Sequence, residues 1–159
     1  MKRAYFYETE LGQIGIAENG TAVTNVFFKN TVKPEGYEVQ ETALLNRAAG
    51  ELREYFAGKR GAFDIPLAPE GSEFEKRVWN ALIEIPYGQT RSYAQIAARI
   101  GNPRACRAVG RANGRNPISI FIPCHRVIGT NGTLTGYAGG LDMKKILLQI
   151  ENSGTCREV

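Results

Sequence analysis

The segment Pro66-Leu67-Ala68-Pro69-Glu70-Gly71 divides this chain into two stretches with different patterning. Two prolines and a glycine so close together stop regular structure, so the elements on either side must form separately. Before the break, Gln13-Ile14-Gly15-Ile16-Ala17 and Thr21-Ala22-Val23-Thr24-Asn25-Val26-Phe27-Phe28 are short, partly alternating and separated by Glu18-Asn19-Gly20. That pattern predicts hairpin strands. Glu41 to Ala57 then places Leu44, Leu45, Ala48, Leu52, Tyr55 and Phe56 at helical spacing, with Gly58 positioned to cap the C-terminus. A small sheet with one helix packed on it is expected over residues 1–71, and a second unit over residues 72–159.

The second unit opens with two capping boxes, Ser72-Glu73-Phe74-Glu75 and Ser92-Tyr93-Ala94-Gln95. In each, a serine hydroxyl and a carboxyl or amide three residues later satisfy the first free N–H groups of a helix. The first helix has an apolar stripe of Phe74, Val78, Leu82 and Ile85 with Trp79 at its edge, and Pro86-Tyr87-Gly88 ends it. The second turns Ile96, Ala97 and Ile100 inward and stops at Gly101. Asn102-Pro103 then supplies an N-cap and a proline at the first helical position, predicting a third helix to about Asn113. Helix, short glycine-containing turn, helix is the helix-turn-helix outline.

In that third helix Arg104, Arg107, Arg111 and Arg115 are expected along one face, while Ala105, Ala108, Gly110 and Ala112 keep it thin. Gly110 weakens a helix interior by about 1 kcal/mol relative to alanine, so a close approach from outside is the expected reason for it. Such a helix fits a phosphate backbone or a minor groove better than it reads bases in the major groove, because long amide side chains are scarce.

Charge points the same way. Residues 1–71 carry 8 basic and 10 acidic side chains, and residues 72–159 carry 12 and 6. Between Glu84 and Asp142 there is no carboxylate, while Arg91, Arg99, Arg104, Arg107, Arg111, Arg115 and Arg126 all fall inside. This is the footprint expected for a polyanion, although a merely solvated basic face has the same composition. No apolar run reaches the ~20 residues of a membrane span, and Met1-Lys2-Arg3-Ala4-Tyr5 lacks a signal peptide's apolar stretch. A cytoplasmic address is the default expectation. Cys106, Cys124 and Cys156 are odd in number, without CxxC spacing or clustered histidines, so neither a disulfide scaffold nor a metal site is expected.

Ile122-Pro123-Cys124-His125-Arg126-Val127 sets a thiol against the one histidine of the chain. A cysteine after an apolar run such as Ile118-Ser119-Ile120-Phe121-Ile122 is commonly inert packing. A cysteine paired with a base is a nucleophile. The residues alone leave both readings open.

In chain order, Pro86-Tyr87-Gly88, Ser92-Tyr93, Arg107-Ala108-Val109-Gly110, Asn116-Pro117, Ile122-Pro123-Cys124-His125-Arg126-Val127 and Gly136-Tyr137-Ala138-Gly139-Gly140-Leu141 resemble motifs of the O6-alkylguanine-DNA alkyltransferases, the methylated-DNA–protein-cysteine methyltransferases. The resemblance runs from Ser72 to Glu151. Residues 1–71 are similar only in length and strand-rich character to the family's α/β N-terminal domain of ribonuclease H-like fold. The implied fold class is that α/β domain followed by a mainly α, winged helix-turn-helix-like domain.

The implied function is direct, irreversible repair: the alkyl group of O6-alkylguanine moves to Cys124, and each chain acts once. O4-alkylthymine is left open as a further substrate. The implied partner is double-stranded DNA containing alkylated guanine, with no cofactor, no metal, no membrane and no obligate protein partner. Cys124 would be nucleophile and alkyl acceptor. His125 would act as general base through a water molecule, since neighbouring side chains of an extended segment point opposite ways. Glu151 would orient His125, Asn116 would brace the active-site turn, and Tyr93 would donate a proton to the guanine. Arg107 would replace the flipped base, with Arg104, Ala105, Ala108, Arg111 and Arg115 also on the DNA. Val127, Tyr137, Ala138, Gly139 and Gly140 would line the substrate pocket, where the carbonyls of Cys124 and Val127 would accept from the guanine amino group. Ala138 stands where some relatives carry serine, and its smaller side chain is expected to admit bulkier alkyl groups.

Three rivals share parts of this pattern. A non-catalytic lesion-binding protein keeps the helix-turn-helix without the nucleophile. A helix-turn-helix regulator does not account for the Pro-Cys-His run. A cysteine hydrolase does not account for the arginine-rich helix.

Overall fold

The computed structural model describes residues 2–28, 36–129, 137 and 139–152. Strands β1 (Lys2–Thr9), β2 (Gly12–Glu18), β3 (Val23–Phe28) and β4 (Tyr37–Val39) form one sheet in the order β3-β2-β1-β4. β1 pairs antiparallel with β2, β2 antiparallel with β3, and β4 parallel with β1. The hairpin of β2 and β3 follows the expected segments. β1 is an addition, because Lys2 to Thr9 alternates too weakly to stand out; only Ala4 and Tyr7 are buried along it.

Helix α1 (Ala43–Phe56) lies on the sheet, capped by the Thr42 hydroxyl on the Leu45 N–H. Its Leu45, Ala48, Ala49, Leu52, Tyr55 and Phe56 are buried at helical spacing. Gly58 follows at φ 75°, the left-handed conformation that closes a helix end most easily with glycine.

The proline-rich break is tied down. The Val23 N–H donates to Pro66 O at 2.9 Å, and the Ala68 N–H donates to Val23 O at 2.8 Å. Prolines lack a donor but retain the carbonyl, so the segment runs along the start of β3 without joining the sheet as a strand. Farther along, the Val26 N–H donates to Pro117 O at 2.8 Å, so β3 touches the second half directly. The two halves share one hydrophobic cluster, in which the rings of Phe63 and Phe121 meet at 4.6 Å.

The second half contains α2 (Glu73–Ile83), the short strand β5 (Arg91–Ser92), α3 (Tyr93–Arg99), α4 (Cys106–Gly114), a 3-10 turn over Cys124–Arg126, the short strand β6 (Val127–Ile128) and α5 (Leu141–Asn152). Both capping boxes are formed, Ser72 with Glu75 and Ser92 with Gln95. Trp79 is not at the edge of the α2 stripe. It is among the most buried side chains, and its Nε1–H donates to Ala112 O at 2.8 Å, fastening α2 to α4. Its ring also covers Gly71, where a Cβ would collide with it.

The third predicted helix begins later than expected. Asn102 to Ala105 is a turn, closed by the Ala105 N–H on Asn102 O at 3.0 Å, and α4 starts at Cys106 without a side-chain cap. Having already used the Asn102 carbonyl in this tighter turn, the backbone leaves Arg104 ahead of the helix rather than on its face.

Candidate active site

The thiol sits at the end of a clamped turn. Asn116 Nδ2 donates to Ile122 O at 2.8 Å, and Asn116 Oδ1 accepts from the Ile118 N–H at 3.0 Å. One buried amide therefore holds both arms of the loop, and Ile120 between them is forced to φ 76°. A β-branched residue occupies that left-handed region only at a cost of about 1–3 kcal/mol.

From this turn the chain enters the 3-10 segment. The Cys124 N–H donates to Ile122 O at 2.7 Å and the Arg126 N–H to Pro123 O at 3.0 Å. The extended geometry expected for Pro-Cys-His-Arg is thus replaced by a tight turn. Pro123, with no N–H to place, supplies the carbonyl that closes it.

β5 and β6 pair in parallel, Arg91 with Val127 and Ser92 with Ile128. This short ladder sets Tyr93, the first residue of α3, next to the segment leaving the thiol. Tyr93 is half-buried, and its ring lies over Gly110 of α4. A Cβ at Gly110 would sit 3.9 Å from that ring, an ordinary contact, so internal packing does not demand a glycine there.

Behind the thiol lies a buried polar cluster. His125 is fully buried, with Nε2 at 2.7 Å from Glu151 Oε2 and 3.3 Å from the Tyr55 hydroxyl. Glu151 also accepts from Arg126 Nε at 2.9 and 3.1 Å, from Arg126 Nη2 at 2.9 Å, from the Gly88 N–H at 3.1 Å and from the Tyr55 hydroxyl. Arg126 completes its own bonding through Nη1 on Ile85 O at 2.7 Å.

These contacts settle the charges. Burial alone would raise the Glu151 carboxyl, but the bonds from His125 and Arg126 outweigh it and push the group down to about 2. Burial holds the His125 imidazole below its ordinary value, with Glu151 pulling the other way. The ring is therefore neutral near physiological pH. Because an ionised carboxylate only accepts, Nε2 carries the hydrogen and Nδ1 presents a lone pair. Nδ1 is buried and has no hydrogen-bond partner among the described residues.

Cys124 is 3% exposed. Burial pushes its thiol above the ordinary range, while Asn116, Ser119 and Lys144 pull it down. At rest the sulfur is protonated, so nucleophilic chemistry needs a base. Lys144, also fully buried, donates through Nζ to Val127 O at 2.7 Å, and burial lowers its own proton affinity. The Cys124 carbonyl meets Asn113 Nδ2 at 3.4 Å. The Cys124 carbonyl also accepts from the Val127 N–H.

Cys124, His125, Asn116, Val127 and Glu151 are thus brought together from positions far apart in the chain. Tyr137 is half-buried and stacks near Phe28 at 6.0 Å. Gly139 is so close to Met143 and Tyr137 that a Cβ would crowd both, and Gly140 opens α5 at φ 96°. Ala138, Gly136 and Cys156 lie outside the described residues.

Arg107 and Arg111 project exposed from α4, opposite its buried Val109, Ala112 and Asn113, with Ala108 half-buried between them. Arg104 and Ala105 are in the preceding turn, and Arg115 ends the helix with Nη1 3.6 Å from Glu75. Arg126 is a correction: it faces inward onto Glu151, so it is no part of the exposed basic face.

Sequence reasoning missed Tyr55, Lys144 and the buried role of Arg126. Lys144 had a detectable signal, since it shares a helix face with Leu147 and Glu151. Tyr55 had none, as it reads as one more apolar position of α1.

The model of the 6-O-methylguanine DNA methyltransferase ribonuclease-like domain matches residues 2–69, and that of the family's DNA binding domain matches residues 73–153. The chain is 53% identical over 152 residues to a methylated-DNA–protein-cysteine methyltransferase of Methanosarcina acetivorans, covering 92% of this chain and 96% of the relative. It is 50% identical to the constitutive enzyme of Bacillus subtilis, over 91% of this chain and 92% of that one. A crystal structure of Mycobacterium tuberculosis OGT in complex with DNA superposes with a TM-score of 0.92 at 43% identity, covering 97% of this chain and 94% of that one. With both halves matched in order and the polar cluster lying where they meet, this chain belongs to the 6-O-methylguanine DNA methyltransferase family.

Proposed function

We propose that this chain repairs DNA by moving the alkyl group of O6-alkylguanine onto Cys124, once per chain. The observation that carries this reading is the buried His125, held by Glu151 through Nε2 so that Nδ1 is left to accept a proton. An unperturbed thiol, with a pKa of about 8.5, is only slightly ionised at neutral pH, and burial makes this one harder to ionise.

In the step itself, His125 takes the thiol proton through a bridging water and the sulfur attacks the alkyl carbon. The carbon–sulfur bond forms as the carbon–O6 bond breaks, and the electron pair leaves on the guanine oxygen. Tyr93 supplies a proton to the purine as that charge develops. A soft thiolate suits displacement at a saturated carbon, and no cofactor or metal takes part. Restoring the thiol would require breaking a thioether, for which the described residues offer no group, so the chain is consumed.

A thiol 3% exposed is reached by a base inserted into the pocket, not by one stacked in a duplex. Arg107 fills the vacated place in the duplex, and Arg104, Arg111 and Arg115, with Ala105 and Ala108, meet the backbone beside it. Val127, Tyr137, Ala138, Gly139 and Gly140 wall the pocket. In this reading residues 1–71 act as a supporting domain and residues 72–159 as the DNA-binding, alkyl-accepting one. Among the described residues no helix is long and apolar enough to cross a membrane, and a cytoplasmic address belongs to the same proposal.

The test is stoichiometry. Exposure to an excess of O6-methylguanine oligonucleotide is expected to add one CH2 mass increment per chain, mapped to Cys124. Repeated turnover, or tight binding with no mass gain, would overturn the reading.

A further inference from the structure

The groups around His125 do not all come from the half of the chain that carries the thiol. α1 delivers Tyr55, which is fully buried, with its ring packed against Phe63 at 5.3 Å, Phe56 at 5.8 Å and Tyr87 at 6.2 Å. Its hydroxyl donates to Glu151 Oε2 and lies 3.3 Å from His125 Nε2. Three residues, Tyr55, His125 and Arg126, therefore donate to one carboxylate oxygen.

We propose that Tyr55 is a positioning residue for alkyl transfer: its hydroxyl shares Oε2 of Glu151 with His125 and so limits how firmly the carboxylate can hold a proton on the imidazole. This rests on the reading of His125 as the base for Cys124. A carboxylate divides its charge among its donors, and removing one strengthens its pull on those that remain. The titratable and charged groups facing His125 are Glu151 and Lys144 from α5, Arg126 and Cys124 from its own turn and Tyr55 from α1, with Tyr87 and Tyr137 in the next layer. Glu151 is the one anion among them, so the number of donors on it governs how far it can offset burial at the imidazole. Burial lowers that affinity and Glu151 opposes the shift, which makes the Tyr55 hydroxyl an ally of burial.

The consequence concerns the acid side of the reaction. A base must be unprotonated to accept the thiol proton, so transfer fails as His125 becomes protonated. Tyr55→Phe in the full chain keeps the ring and removes one hydroxyl. Its single-turnover transfer rate, followed by intact mass across pH, is expected to lose its acid side earlier. The midpoint should rise by roughly one pH unit, which makes the variant about tenfold slower well below it. Superimposable profiles, a downward shift, or an equal loss at every pH would overturn the proposal, the last by showing a packing role alone.

A second readout is independent of transfer. The chain has 1 histidine, so its imidazole resonances are unambiguous in an NMR titration. That midpoint should also rise in Tyr55→Phe, and in Tyr55→Leu should the first variant fail to fold. An unmoved midpoint while wild-type protein still transfers methyl groups sinks the Tyr55 role alone. Absence of transfer by the wild type sinks the broader reading, whatever the titration shows.

Discussion

Arg107 and Arg126 are the same residue type in the same basic stretch, yet they stand in opposite environments. Arg107 projects from α4 into solvent, whereas Arg126 is turned inward onto Glu151, Ile85 and the face of Tyr87. The exposed face of α4 holds charge that is available to a partner. The cluster behind Cys124 holds charge already committed to the fold. An exposed arginine is hydrated at little cost, while a buried one is tolerated only with its bonding satisfied, so in the proposed function the second kind would position chemistry and the first kind would meet DNA.

The largest expected effect tests whether the two regions are separable. Cys124→Ser should abolish transfer and leave duplex affinity near wild type, because the α4 face is untouched. Loss of both activities in folded protein would mean that thiol and binding face are one structural unit.

Breaking the buried pair should be the largest change in stability. Arg126→Met leaves Glu151 ionised without its main partner and is expected to destabilise the fold by about 3–5 kcal/mol in urea. Arg107→Ala should stay within about 0.5 kcal/mol of wild type in the same measurement. Similar values for the two would erase the distinction drawn above.

Arg107→Ala should instead show itself in substrate dependence. If it holds open the space left by a flipped base, repair of duplex lesions should fall about tenfold or more than reaction with a free O6-alkylguanine base. A smaller effect concerns affinity for undamaged duplex: Arg111→Ala should reduce the salt dependence of binding by about one phosphate contact and leave sequence preference unchanged.

A further expected effect lies in acid. Glu151 falls to about 2 in the folded chain against an ordinary value of about 4.3, so its ionised form stabilises the fold. That contribution is complete above the ordinary value and is lost as pH drops toward 2. Urea midpoints measured through that window should decline less in Glu151→Gln than in the wild type.

Local patterns were legible where backbone satisfaction is local. Both capping boxes, the helix expected over Glu41 to Ala57 with Gly58 as its cap and the β2–β3 hairpin follow from residues within a few positions of one another. The start of α4 was misread because Asn102-Pro103 suits a helix N-terminus and a turn equally well, and the choice depends on where Asn102 O is used. Trp79 was placed at an edge because helical spacing locates a side chain without showing what packs over it.

At the site, Cys124, His125, Asn116 and Glu151 were nameable from motifs, whereas Lys144 and Tyr55 emerged only from packing. The sequence by itself determined the β2–β3 hairpin, α1 and the capped starts of α2 and α3, the concentration of arginine in one stretch and the pairing of a thiol with the chain's one histidine. Only the tertiary structure decided which arginines face solvent, that Arg126 shares the carboxylate holding the imidazole and that α1 places a hydroxyl on it. Hydrogen bonding along the backbone is a short-range matter, but burial and charge pairing depend on groups far apart in the chain, and those are brought together only when the two halves close on a common core.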